Sequence, residues 1–231
     1  PWMWPWVGNL SFNLDMLVHF KKTSLNKIIE FILDELEKIE IEDIFKDESI
    51  YNNKINLVDN PFMVEGVYKT FDDEGVPTEE KTIIENGILK TFLHNLKTAN
   101  KNNLKSTGNG QKASYKSSVG IAPYNFYIKE GEVEFKELVR KMSDGLILIE
   151  FDGLHSGLNA VSGDFSLSTR GYRVENGEIV GAINEITLAA NFFDLLLNVE
   201  EIGKDLKFGF PGGTRIGSPS MLFRKLSIAG E

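Results

Sequence analysis

Apolar residues recur at helical spacing in three stretches of the 231-residue chain and alternate or cluster at strand spacing in most of the rest. Leu25, Ile28, Ile29, Ile32, Leu33, Leu36 and Ile39 follow the i, i+3, i+4, i+7 rule and predict one amphipathic helix over 24–45, with Thr23 or Ser24 as its cap. Phe135, Leu138, Val139 and Met142 share a face and predict a second helix over 132–145, with Gly145 as its stop. A third helix is predicted over 191–203, capped by Asn191 and stopped near Gly203.

Between these lie short strand-like runs. Residues 54–60 read as a strand running into a turn, 146–151 as a buried strand and 220–230 as a closing strand. Two hairpins are predicted, over 80–95 and 171–183. Asn86-Gly87 and Asn176-Gly177 supply the two positive φ angles that a type I′ turn requires. Strands outnumber helices and the turns are hairpin turns. The expected fold class is α+β: an antiparallel or mixed sheet, curled towards a barrel, with a few helices. No Pro- or Ser-rich linker divides the chain, so 1–231 reads as a single domain with 1–55 as a helical appendage.

Composition narrows the function classes. The formal net charge is −9, which argues against a nucleic-acid surface and disfavours an anionic membrane face. The run 97–105 is the most basic stretch and reads as a solvated loop. There is no cysteine, so disulfides, thiolate metal sites and thiol nucleophiles are all excluded within this sequence. No run approaches the roughly 18 apolar residues of a membrane span, and no secretory leader pattern is seen; a cytoplasmic protein is expected. All three tryptophans stand in the first six residues, as an anchor for a partner, a remnant of processing or cloning, or ordinary packing.

Four stretches carry candidate chemistry. His19, His94 and His155 are far apart and no HExxH occurs, so a local zinc site is not expected. In the acidic turn 71–80, Asp72, Asp73 and Glu74 ahead of Gly75 can hold a cation or a substrate amine, or can simply be solvated carboxylates on a turn. The glycines of 105–110 resemble a phosphate cradle but lack its spacing, and read as a loop needing unusual φ. The stretch "GLHSGLNAVSGDFSLSTRGY" (153–172) gathers His155, Ser156, Asn159, Ser162 and Asp164. Sequence neighbours seldom face each other as a triad does, and no G-x-S-x-G elbow is present. A binding or interface loop is the first reading. Hydrolysis by His155 with Ser156 or Ser162 is the last.

Six separated motifs then agree in order: "DDEGVPTEEKTIIENGILKTFLHN", "STGNG", "NFYIKEG", "GLHSGLNAVSGDFSLSTRGYRVENGEIVGAINEITLAAN", "IGKDLKF" and "GSPSMLFRKLSIAG". Together they resemble the C-terminal domain of the TldD/PmbA family, once described as modulators of DNA gyrase and now classed with metallopeptidases. The resemblance runs from about residue 56 to 231. Within that family one branch carries HExxxH and a cysteine as zinc ligands; the PmbA branch, also called TldE, lacks them and pairs with the first. The present sequence has neither, and "GLHSGLNAVSGDFS" is similar to the PmbA branch. Against that family's pattern, the usual N-terminal half is absent from this sequence or reduced to 1–55, so the resemblance implies either a short member of the family or a fragment of a longer one.

The resemblance implies a metal-free subunit, or its C-terminal domain, of a peptidase acting on unfolded peptides. Zinc would sit in a TldD-like partner and none in this chain, and self-association is the other pairing implied. It also implies that Asp72, Asp73, Glu74, Gly75, His155, Ser156, Asn159, Ser162 and Asp164 line or shape a peptide cavity, none as a catalytic or metal residue. The competing reading is a peptide-binding or scaffold module with the same fold and no peptidase role.

Overall fold

The computed structural model describes residues 12–18, 51–159, 162–209 and 214–229; for 12–18, Leu154, His155, Lys225, Ser227 and Ala229 only the backbone is described. The helix expected over 24–45 and the tryptophan-rich start lie outside the described residues. Contacts divide the described chain into two compact units. One takes 12–18, 130–205 and 219–229; the other takes 51–129 and 206–218.

The first unit is built on a six-stranded mixed sheet. Its strands are β1 (Phe12–Val18), β8 (Gly145–Asp152), β9 (Asp164–Glu175), β10 (Glu178–Asn191), β11 (Val199–Ile202) and β14 (Met221–Ala229), in the order β1-β8-β9-β10-β14-β11, with a further pairing of β1 on β14. β1 runs parallel to β8, and every other pairing is antiparallel. β9 alternates exposed and buried positions over most of its length, so Phe165, Leu167, Thr169 and Gly171 face inward, as a half-buried strand requires. Helix α2 (Phe135–Met142) lays Leu138, Val139 and Met142 against Ile147, Val174 and Leu222, with Phe135 packed beside them. That is the apolar face expected from the sequence. The stop differs: Ser143 takes a positive φ (62) and ends the helix, while Gly145 already starts β8.

The helix expected over 191–203 is shorter. Asn191 does cap it, but α4 spans only Phe192–Leu197, because the Asn198 side chain closes its end on Asp194 O and Val199–Ile202 pair with β14 instead. Tertiary pairing overrides local helical spacing there. A strand not foreseen, β1, comes from the alternation "FNLDMLV".

The second unit holds a six-stranded sheet of order β12-β13-β7-β2-β3-β4, from β2 (Leu57–Asp59), β3 (Lys81–Glu85), β4 (Ile88–Leu89), β7 (Asn125–Ile128), β12 (Lys207–Phe208) and β13 (Arg215–Ser218). A two-stranded ribbon, β5 (Gly110–Gln111) with β6 (Gly120–Ile121), accompanies it. Ile55, Leu57, Ile83, Ile84, Tyr124 and Phe126 are almost wholly buried and form its interior. The basic run is not a plain loop: α1 (Leu96–Lys101) forms there, because Asn95 and Thr98 make a reciprocal capping box. A short helical turn, α3 (Leu154–Gly157), completes the set in the first unit.

Both expected hairpin turns are present. Asn86 and Gly87 have φ of 50 and 78, and Asn176 and Gly177 have 50 and 76. The second hairpin is much longer than expected, since β9 and β10 pair from Asp164–Asn191 to the turn. The architecture is thus α+β, with mixed and antiparallel sheets and few helices. No helix among the described residues is long and apolar enough to cross a membrane.

Candidate functional site

In the first unit, β8 ends at Asp152 and the chain turns through Gly153 (φ 85) into α3. The turn closes on itself: Ser156 N, Gly157 N and the Ser156 hydroxyl all donate to Gly153 O, at 3.0, 2.7 and 3.3 Å. The Ser156 hydroxyl is therefore spent on the backbone. Asn159 N donates to Asp164 O, and Gly163 N donates to Asn159 O, which ties Asn159 to Gly163 and Asp164 at the start of β9.

Three polar side chains meet at its end. The Ser162 hydroxyl donates to Asp164 Oδ2 at 2.7 Å, and Asn191 Nδ2 donates to Asp164 Oδ1 at 2.9 Å and to Ser162 O at 2.8 Å. Asn191 Oδ1 in turn accepts from Phe193 N at 2.9 Å, so one amide caps α4 and clamps the loop. Asn191 and Ser162 together hold the Asp164 carboxyl below its ordinary range. A carboxylate so stabilised is a weak base, which makes the Ser162–Asp164 pair a poor activated nucleophile. The position of the His155 side chain lies outside the described residues.

In the second unit, the acidic turn is built from the inside. Asp72 is almost fully buried, and its Oδ1 accepts from Glu74 N and Val76 N while its Oδ2 accepts from Gly110 N, each at 2.9 Å. Asp73 pairs with Lys69 Nζ at 2.7 Å and accepts from Lys112 N; Lys69 first, then that amide, lowers its carboxyl. Glu74 Oε2 accepts from Leu96 N at the start of α1. Gly75 takes φ 80 with open space around it. All three carboxylates therefore pin backbone amides, and Asp72 and Glu74 reach across to the 106–110 segment and α1. Gly108 (φ 68) backs onto this turn, where a Cβ would lie 2.5 Å from Pro77 O.

Sequence reasoning missed the most buried polar cluster of this unit. Asp59 accepts from Tyr124 N and Asn109 Nδ2 at 2.8 Å, and Lys81 Nζ lies 3.3 Å from its Oδ2. Tyr124 donates its hydroxyl to Gly108 O at 2.9 Å. Burial pushes the Asp59 carboxyl up, against the lowering pull of Lys81, Asn109 and Tyr124 N–H. Burial also pushes the Tyr124 phenol up, helped by the Asp72, Asp59 and Asp73 charges. His94 is buried, its Nδ1 3.3 Å from Thr98 Oγ1, and burial lowers its basicity. Among the described residues no group of three or more His, Cys, Asp or Glu side chains converges as a metal site would.

Residues 43–230 match the PmbA/TldA metallopeptidase C-terminal domain. The chain belongs to the PmbA/TldD metallopeptidase family. Metalloprotease PmbA of Escherichia coli O157:H7 is 33% identical over 202 residues, 87% of this chain and 39% of that protein. A Thermotoga maritima structure described as a modulator of a DNA gyrase superposes with a TM-score of 0.79 at 36% identity, over 96% of this chain and 51% of that one. TldE from Thermococcus kodakarensis shares the fold, with a TM-score of 0.80 at 24% identity, over 97% and 52%. The chain thus spans about half the length of these solved structures and less of the curated relative.

Proposed function

We propose that this PmbA/TldD-family chain is the metal-free half of a peptidase acting on unfolded peptides, with zinc supplied by a TldD-like partner. The observation that carries the reading is chemical. The chain matches a metallopeptidase domain, yet its 231 residues hold no cysteine and no HExxxH, and Asp72, Asp73, Glu74, Ser156, Ser162 and Asp164 are all held by hydrogen bonds to backbone or neighbouring side chains. The partner's zinc would activate water for peptide hydrolysis.

Each unit of this chain would contribute a wall of its own. Ser156, Asn159, Ser162 and Asp164, with His155, shape one loop, and Asp72, Asp73, Glu74 and Gly75 shape another. Such walls select extended chains by hydrogen-bonding main chain, as in strand addition. The ladder that returns from β14 to β1 supports a first sheet curled towards a barrel as the backing of the first of these loops, within its own unit.

The test is direct. The purified chain, incubated with an unstructured polypeptide such as reduced casein and added zinc, should cleave nothing, and adding a TldD-like protein should produce chelator-sensitive cleavage. Cleavage by the chain alone, lost in His155→Ala and indifferent to chelator, would overturn the reading.

A further inference from the structure

Three asparagines in the described chain precede glycine: Asn86, Asn109 and Asn176. Asn-Gly is the dipeptide most open to spontaneous deamidation, because glycine offers no side chain to hinder attack by its own backbone nitrogen. In that reaction the glycine nitrogen bonds to the asparagine Cγ, the Cγ–Nδ2 bond breaks and ammonia leaves carrying the amide proton. Water then opens the succinimide to aspartate or isoaspartate. The nucleophile is the glycine amide, and it must give up its proton to act.

All three glycine amides are occupied. Gly87 N donates to Ile55 O at 2.9 Å, Gly177 N to Ser143 O at 2.7 Å, and Gly110 N to Asp72 Oδ2 at 2.9 Å. The asparagines differ in how far their side chains are held. Asn109 is fully buried; its Nδ2 donates to Asp59 and Ala122 O, and its Oδ1 accepts from Thr107. A carboxylate on the Gly110 amide also opposes the amide anion that attack requires. Asn86 has an exposed side chain, but Asn56 Oδ1 accepts from its backbone N–H and Gly87 is buried against Tyr51 and Asn52 carbonyls. Asn176 is exposed at the hairpin tip, Gly177 beside it is only half-buried, and a single surface carboxylate, Asp144, holds its N–H at 3.0 Å.

We propose that Asn176-Gly177 is this protein's site of spontaneous deamidation, and that the fold suppresses the same chemistry at Asn86 and, most strongly, at Asn109. Attack is gated by opening of the turn that holds each Asn-Gly pair, through the bond on the glycine amide and, at Asn176, through the bond from its own N–H to Asp144, so the rates follow local opening rather than sequence. The experiment is peptide mapping by mass spectrometry with isoaspartate detection. The whole chain is aged in mildly alkaline buffer, folded and in concentrated guanidinium. Unfolded, the three sites should deamidate at comparable rates. Folded, Asn176 should lead, Asn86 should trail it and Asn109 should lag by about ten-fold or more. Asp144→Ala should speed Asn176 alone and leave the rate at Asn86 unchanged. Equal rates at the three sites in the folded protein, or Asn109 as fast as Asn176, would overturn the proposal. An Asp144→Ala variant that accelerates Asn86 as much as Asn176 would also overturn it, because the gate would then be global unfolding.

Discussion

Asp72→Ala should cost far more than its place in an acidic surface turn implies. The side chain is 2% exposed and satisfies three backbone donors: Glu74 N, Val76 N and Gly110 N. Each donor stranded in a buried setting costs about 1–3 kcal/mol, and the Glu74 and Val76 amides recover part of that from water, so the sum is about 3–5 kcal/mol. Asp72→Asn keeps the two bonds to Oδ1 but sets an amide donor against Gly110 N, for about 1–3 kcal/mol. Asp73→Ala removes only an exposed pair with Lys69 and one loop amide, for about 0–1 kcal/mol. Urea unfolding followed by near-ultraviolet circular dichroism measures all three. A cost for Asp72→Ala no greater than for Asp73→Ala would refute the claim that this turn is a structural pin.

Glycines give a second contrast: Gly108→Ala meets both a positive φ and the Pro77 carbonyl at 2.5 Å, so it should cost about 2–4 kcal/mol in the same assay, whereas Gly75→Ala, with open space around it, should cost about 1 kcal/mol. Asp164 should titrate below its ordinary value of 3.8 by carboxyl-detected NMR, and Asn191→Ala should move it back up, because the largest lowering contact is then gone. The His94 imidazole has a folded pKa depressed below 6.5 by burial, so its contribution to stability is present above that value and is lost as pH falls through the depressed one. The melting temperature should therefore drop on acidification from neutrality, and by less in His94→Gln. An equal drop in both proteins would remove His94 from the account.

Local features were legible and long-range ones were not. Asn86-Gly87 and Asn176-Gly177 announce their turns because two positive φ angles are a local demand that few dipeptides meet. The face of α2 was legible because its periodicity matches its packing. Residues 199–202 misled because their spacing continues a helix, while β14 offers a strand partner that only the folded chain presents. The acidic turn looked solvated because Gly110, which fixes Asp72, lies 38 positions away. Asp59, Lys81, Asn109 and Tyr124 gave no signal for the same reason: their partners are separated by 22 to 65 positions. Asn191 is an intermediate case, since its role as a cap was legible but its clamp on Ser162 and Asp164 was not.

The central claim is that this chain is the metal-free half of a two-part peptidase. The most direct measurement is the native mass of a tagged copy drawn from extract of its own source, with zinc quantified on the same sample. The account predicts a complex with a longer chain bearing HExxxH and about one zinc per complex. A chain that comes out alone and free of zinc, and that binds an unfolded peptide without cleaving it, would contradict the account and make this a binding module.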